Sequence, residues 1–266
     1  MLKRIIYSLA LFPVVVYVVV AGGAPLRFTL FLISVAALFE LYKAIYTELT
    51  AINYIGFLFV GFLYVFLETA LNYFFILVLI WIIVNFIYMV FAYELTNGKS
   101  NPLFCIANIA LPIYTGAFLA TIYLSRSENP YFVWLIFIGA WGYDTFAYFV
   151  GKFFGRHKLT PNLSPSKTIQ GAVGGVVGAI AVGSAYSLVV SNIFGLQSIN
   201  IILYGIICGV LAIFAQLGDL AASAVKRHSG IKDFGRIIPG HGGVMDRFDS
   251  IIFTGPILYI ILTRLI

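Results

Sequence analysis

Long apolar runs dominate this chain and constrain its fold more than any other feature. About nine segments approach the roughly 20 mostly apolar residues that a helix needs to cross hydrocarbon: 5–22, 28–46, 52–67, 71–93, 103–123, 131–150, 170–191, 199–224 and 248–264. The third is short and the second carries Glu40 and Lys43, so a count of eight also fits. A chain that is 62% hydrophobic, 10% charged and has a mean hydropathy of +1.03 cannot hide its apolar surface in one soluble core. Runs of this length exclude an outer-membrane barrel, whose strands alternate over about ten residues. The expected fold class is all-α, a polytopic membrane helix bundle.

Orientation follows from where the cations fall. With nine spans, one side of the membrane holds Lys3, Arg4, Lys43, Lys99, Lys152, Arg156, Lys158, Lys167, Lys226, Arg227, Lys232, Arg236 and Arg247; the other holds Arg27, Arg126 and Arg264. The bias places the N-terminus and both long polar loops in the cytoplasm. Lys3, Arg4 and the apolar run behind them imitate a secretory signal, but the run is long for a signal core, and we read it as a retained first helix. Cys105 and Cys208 lie inside apolar spans and read as small buried hydrophobes. The net charge of +6 lies beside the membrane and suits anionic lipid or a phosphate-rich substrate; no nucleic-acid motif accompanies it.

Residues 1–130 read as scaffold of about five spans, and residues 131–266 as a catalytic membrane domain of about four spans with two cytoplasmic polar loops. In the first part, Glu40 and Lys43 lie one turn apart and are expected to pair or to reach the interface. Asn97-Gly98 marks a turn, and Pro112 predicts a kink. In the second part Asp144 sits inside the sixth span. Gly171, Gly174, Gly175 and Gly178 form small-xxx-small pairs that let a neighbouring helix come close.

Charge concentrates between residues 223 and 249, where Lys226, Arg227, His228, Lys232, Asp233, Arg236, His241, Asp246, Arg247 and Asp249 separate two apolar runs. So many ions near lipid suggest a working site. Helical spacing puts Asp219, Ser223 and Lys226 on one face. Asp246 and Asp249 begin the last helix, where an N-terminus favours anions in any case. Together the three aspartates and the cations Lys226, Arg227, Lys232 and Arg247 suit Mg²⁺ and polyphosphate, since Mg²⁺ takes one or two carboxylates plus phosphate oxygens and water. His241 stands between glycines, where backbone can approach a ligand, and is equally at home in a structural role. A second cluster, Ser164-Pro165-Ser166-Lys167-Thr168, precedes the glycine-rich helix; hydroxyls and a lysine there form an anion site, or simply a cap with a snorkelling lysine.

The stretch from Ser223 to Asp249 resembles the signature of the phosphatidate cytidylyltransferases, the CDP-diacylglycerol synthases. That pattern runs Ser-x-apolar-Lys-Arg, four residues, Lys-Asp, a small residue two further on, then His-Gly-Gly-x-x-Asp-Arg-x-Asp, and each fixed position is met. Ser164 to Gly171 resembles a second family feature, Ser-Pro-x-Lys-Thr-x-Glu-Gly, with Gln170 in place of Glu. That departure removes any metal or acid role from position 170. By motif the resemblance spans roughly 140–250.

The resemblance implies transfer of CMP from CTP to phosphatidic acid in a lipid bilayer, at a site reached from the cytoplasmic face of the cell membrane. From their positions at helix ends and in the two polar loops, Asp219, Asp246, Lys226 and Lys167 are the expected catalytic residues. Asp219 and Asp246, with Asp249 as a weaker third, are the expected ligands of Mg²⁺ or another divalent cation, one ion or two. Ser164, Ser166, Thr168, Ser223, Arg227, Lys232, His241, Arg247 and Asp144 are the expected substrate contacts. A homodimer is one expected assembly. The rival readings are a polyprenol-kinase-like enzyme, a CDP-alcohol phosphotransferase, whose Asp-Gly-x-x-Ala-Arg run is absent, and an ion-coupled transporter, whose polar path and symmetric halves are absent too.

Overall fold

The computed structural model describes residues 2–46, 48–194, 200–236 and 242–266, with the side chains of 2–11, 70, 71 and 194 left out. Among the described residues, every apolar run expected from sequence is largely helical. In chain order the helices are α1 (Leu2–Ala21), α2 (Gly23–Ile45), α3 (Ala51–Val65), α4 (Leu67–Asn72), α5 (Phe74–Leu95), α6 (Pro102–Pro112) and α7 (Phe118–Glu128). Then follow α8 (Trp134–Phe137), α9 (Tyr143–Phe154), α10 (Ile169–Phe194), α11 (Ile201–His228) and α12 (Met245–Arg264). Among the described residues, five helical stretches are long and apolar enough to cross a membrane: Gly23–Ile45, Phe74–Leu95, Pro102–Glu128, Ile169–Ile193 and Ile201–His228. On α5 the outward side chains before Glu94 are largely apolar, Phe75 at 80% exposure and Phe91 at 63% among them. Such a surface belongs in lipid.

Local chemistry sets the boundaries. Asn101 caps α6 by accepting from Leu103 N at 3.0 Å, with Pro102 at the first helical position. Asn200 caps α11 through Ile202 N and Leu203 N. The turn expected at Asn97-Gly98 is there, both residues having positive φ (51° and 78°) and Gly98 N bonding Tyr93 O at 2.8 Å. After Pro112 the helix does not break. It slips into a π turn, Ile113–Ala117, because proline offers no N–H to the α ladder and a wider turn takes up the mismatch. A second π turn, Ile138–Gly142, joins α8 to α9.

One element departs from the all-α expectation. Lys158–Thr160 and Ser164–Thr168 form an antiparallel hairpin, β1 and β2, where sequence suggested only a polar loop. Pro165 is tolerated because a two-stranded sheet consists of edges.

The chain divides into two compact units. Unit 1 comprises residues 1–120 and 233–246, and unit 2 residues 121–232 and 247–266.

Unit 1 is held by buried polar side chains as well as by apolar packing. Asn108 on α6 accepts from Tyr42 Oη and from Asn53 Nδ2 at 3.3 Å, and donates to Asn85 Oδ1 at 2.8 Å and to Ile52 O. One amide thereby ties α2, α3, α5 and α6. Ser34 adds a bond to Thr115 O at 2.9 Å and shares a hydrogen with Tyr64 Oη, also at 2.9 Å. Side-chain amides and hydroxyls join helices well in lipid, where water offers no alternative partner. Glu40 and Lys43 do not pair as expected. Lys43 lies over the Phe39 ring, 4.5 Å from its centroid, and Glu40 turns to the 233–246 segment.

In unit 2, α10 packs most extensively on α9 and α11. The glycines foreseen as contact points serve that purpose. A Cβ on Gly174 would lie 2.6 Å from Val150, one on Gly175 2.5 Å from Tyr143, and one on Gly178 would enter the Phe146 ring. Gly139, in the second π turn, would strike Leu211 Cβ at 2.7 Å, so that turn lies against α11. Cys208 is buried on α11 against Gly183, and Cys105 is buried in unit 1, both as free thiols.

Candidate active site

The site in unit 2 starts from the hairpin. Its second strand runs straight into α10, and Thr168 caps that helix, its Oγ1 accepting from Gly171 N at 3.1 Å. Gln170 closes the hairpin base: Oε1 accepts from Arg156 N (3.1 Å) and His157 N (3.2 Å), while Nε2 meets His157 Nδ1 at 3.0 Å. Position 170 is thus a clamp on the loop, which suits a neutral amide. Close contact of α9 with the start of α10 holds this base in place, since a Cβ on Gly171 would lie 2.7 Å from Ala147 O.

This framework aims Lys167 inward. Its ammonium, shielded from solvent, forms an ion pair with Asp219 on α11 and also interacts electrostatically with Asp144. Ser223, one turn after Asp219, donates to Asp219 Oδ1 at 3.4 Å, as the shared helical face predicts. Asp144 interacts electrostatically with Asp219, Lys167 and Arg247, and Asp249 with Asp219, Lys226 and Asp144. Asp249 is brought close to α11 by Gly218, where a Cβ would lie 2.5 Å from the Asp249 carbonyl oxygen. It accepts from Ser250 N at 2.8 Å and is 8% exposed.

Beside the ion pair lies a cavity of about 280 Å³ between α9, β2 and the start of α10. Asp144, Lys152, Ser166, Lys167, Thr168 and Tyr143 supply its reactive lining. Sequence reasoning missed two of these. Lys152 entered only as a cytoplasmic cation, and Tyr143 carried no signal, although the π turn just before it resets the helical phase at this point. Such turns recur at functional sites.

The remaining expected contacts fall elsewhere. Arg227 is exposed, its Nε donating to Leu163 O at 3.3 Å, so it braces the hairpin turn. Ser164 is a half-buried strand residue outside the cavity lining, and Lys232 is exposed. His241 lies outside the described residues.

Asp246 belongs to unit 1 and is 9% exposed. Its Oδ2 accepts from Phe234 N (2.8 Å) and Gly243 N (2.9 Å), joining both arms of the 233–246 segment. Gly242 has φ 85°, a conformation glycine adopts freely. No group of three or more His, Cys, Asp or Glu side chains forms a ready metal cluster among the described residues. Asp219 and Asp249 still fit a hard divalent cation by donor chemistry: both are carboxylates, they interact electrostatically, and Mg²⁺ completes its shell with phosphate and water.

Comparison with known proteins gives the family of the chain. The profile described as the Cytidylyltransferase family matches residues 2–265. A Staphylococcus saprophyticus protein named phosphatidate cytidylyltransferase is 43% identical over 162 residues, covering 61% of this chain and 59% of its own length. Proteins of the same name from Staphylococcus haemolyticus (41% over 162 residues) and Staphylococcus aureus strain COL (42% over 164 residues) share 61% and 60% of this chain. The alignment spans about three-fifths of each of these relatives, 59% in every case. With a profile match running almost end to end, the chain belongs to the cytidylyltransferase family.

Proposed function

We propose that this protein is an integral-membrane nucleotidyltransferase that converts CTP and phosphatidic acid to CDP-diacylglycerol and pyrophosphate. The observation that carries the reading is the half-buried Lys167–Asp219 ion pair beside a cavity to which Asp144, Lys152 and Ser166 contribute polar groups. Family membership and the name the relatives carry support it.

A phosphate-monoester oxygen of the lipid attacks the α-phosphorus of CTP. One P–O bond forms, and the bond from the α-phosphorus to the bridging oxygen breaks, the electron pair leaving with pyrophosphate. The nucleophile is already an anion, so no serine or strong base is required, and catalysis rests on positioning and charge neutralisation. Lys167 offsets phosphate charge as it builds toward the leaving group. Asp219 holds that ammonium in place, and Ser223 holds Asp219. Ser166 and Thr168 offer hydroxyls at the cavity wall. Asp144, Lys226 and Arg247 set the local field. On the motif, Asp246, Lys232 and His241 serve the same reaction. Asp219 and Asp249 would hold Mg²⁺, which when bound supplies further neutralisation of phosphate charge. Nine spans, a cytoplasmic N-terminus and a site open to cytosolic CTP in the cell membrane complete the proposal.

The test is an assay of purified protein in detergent with α-labelled CTP, phosphatidic acid and Mg²⁺. Labelled CDP-diacylglycerol with stoichiometric pyrophosphate is expected. Transfer of a γ-phosphate to a lipid alcohol instead would establish the kinase reading.

A further inference from the structure

Glu40 is an acid with no place in the reaction above, in a helix otherwise given to packing. It is 3% exposed, and both carboxylate oxygens are engaged: Oε1 accepts from Val244 N at 3.0 Å and Oε2 from Met245 N at 2.8 Å. Those two amides open α12 and have no partner within the helix itself. The segment is shaped around this carboxylate. A Cβ on Gly235 would come within 2.8 Å of Glu40 Cδ, and one on Gly243 within 2.5 Å, so the glycines of both arms leave room for the acid. Asp246 closes the arms on each other through Phe234 N and Gly243 N. Glu40 interacts electrostatically with Asp246, so two like charges share one small region and four backbone N–H groups answer them. A buried anion placed there only to fill space would be poorly chosen, since an apolar side chain would spare the desolvation.

We propose that Glu40 is the positioning residue of the 233–246 segment, fixing the backbone from which Asp246 and the adjoining Arg247 act. The reaction it serves is the one proposed above, and the inference rests on that reading. Glu40 touches no substrate in this role. It acts through Asp246.

Glu40→Gln tests it. The amide keeps size but turns one acceptor into a donor facing an N–H. Turnover is expected to fall by about 100-fold, the scale of a small misplacement at a reacting centre. Michaelis constants for CTP and phosphatidic acid should stay within about threefold, as befits lost transition-state geometry. Hydrogen exchange at Val244 and Met245 should rise, while that of α10 and the thermal midpoint in detergent stay as in the unaltered protein. Lys43→Ala, on the same helix, should change none of these. Glu40→Asp, which retains the acceptors on a shorter arm, should recover part of the turnover.

Unchanged exchange at Val244 and Met245 in Glu40→Gln would overturn the anchoring whether or not the protein makes CDP-diacylglycerol. Faster exchange with unchanged turnover would overturn its service to the reaction. If Glu40→Gln unfolds, Glu40→Asp decides: a kcat and exchange indistinguishable from the unaltered protein defeats the proposal. Absence of product from the unaltered protein counts against the proposed function, and exchange alone then decides the anchoring.

Discussion

The two units bury polar groups of different kinds. In unit 1 the buried groups include amides, phenols and hydroxyls bonded to one another, as Tyr42, Asn53, Asn85 and Asn108 are, and the acid Glu40 is answered by backbone. In unit 2, besides hydroxyls such as Ser187 and Thr254, they include the acid Asp249. A half-buried ion pair, Lys167–Asp219, stands there beside a cavity, with Lys167 offering three donors to Asp219 and the nearby Asp144. A neutral network whose members satisfy one another binds helices together and leaves nothing for a ligand. An ionic cluster with spare donors is poor glue, because desolvation offsets most of its attraction, but it can receive a charged substrate. Stability and chemistry thus draw on different polar side chains.

Removing charge from unit 2 should break this contrast most sharply. Asp219→Asn removes the ion-pair partner of Lys167 and leaves it Asp144 as the nearby counter-charge, and turnover should drop by about a thousandfold or more while the helical circular dichroism spectrum persists. Lys167→Ala should do similar damage to kcat, and supplied alkylamine should restore part of it if the ammonium is the missing element. Arg247→Lys should lower turnover by about 10- to 100-fold, since a lysine lacks the planar fork that orients two acceptors, a difference seen in steady-state kinetics. In unit 1, Asn108→Ala should instead destabilise by about 1–3 kcal/mol, because Tyr42 and Asn85 lose a buried partner, and Michaelis constants should hold. A thermal-shift series in detergent measures it. The smallest effect is expected at Arg227→Ala, an exposed brace worth about 1 kcal/mol or less, visible as looser protease protection of the hairpin. A large kinetic loss there would return Arg227 to the phosphate-binding set.

Sequence carried these two regions unequally. Helix positions were legible because lipid demands long apolar runs, and the motif carboxylates because ions between such runs are conspicuous. The four glycines of α10 announced close packing correctly. The hairpin was hidden, since Ser164-Pro165-Ser166-Lys167-Thr168 has no apolar alternation and its strand is defined by Gln170 and the Lys158 pairing rather than by propensity. The π turns were hidden as well. Pro112 signalled a disturbance without its form, and Ile138–Gly142 contains no proline. Glu40 was misjudged for a plain reason: its nearest charged neighbour in sequence is Lys43, and local spacing says nothing about amides 204 and 205 positions away.

That separation has a bearing on how the chain is made. Ribosomes deliver Val244 204 positions after Glu40, so at about 5–20 residues per second Glu40 waits roughly 10–40 s for the amides that will receive it. During that interval an apolar helix bears an acid that lipid rejects, and the nascent protein must keep it wet or shielded at the insertion machinery. A polypeptide stopped short of residue 244 never resolves the conflict. The same carboxylate that orders the finished segment therefore marks an incomplete product for what it is.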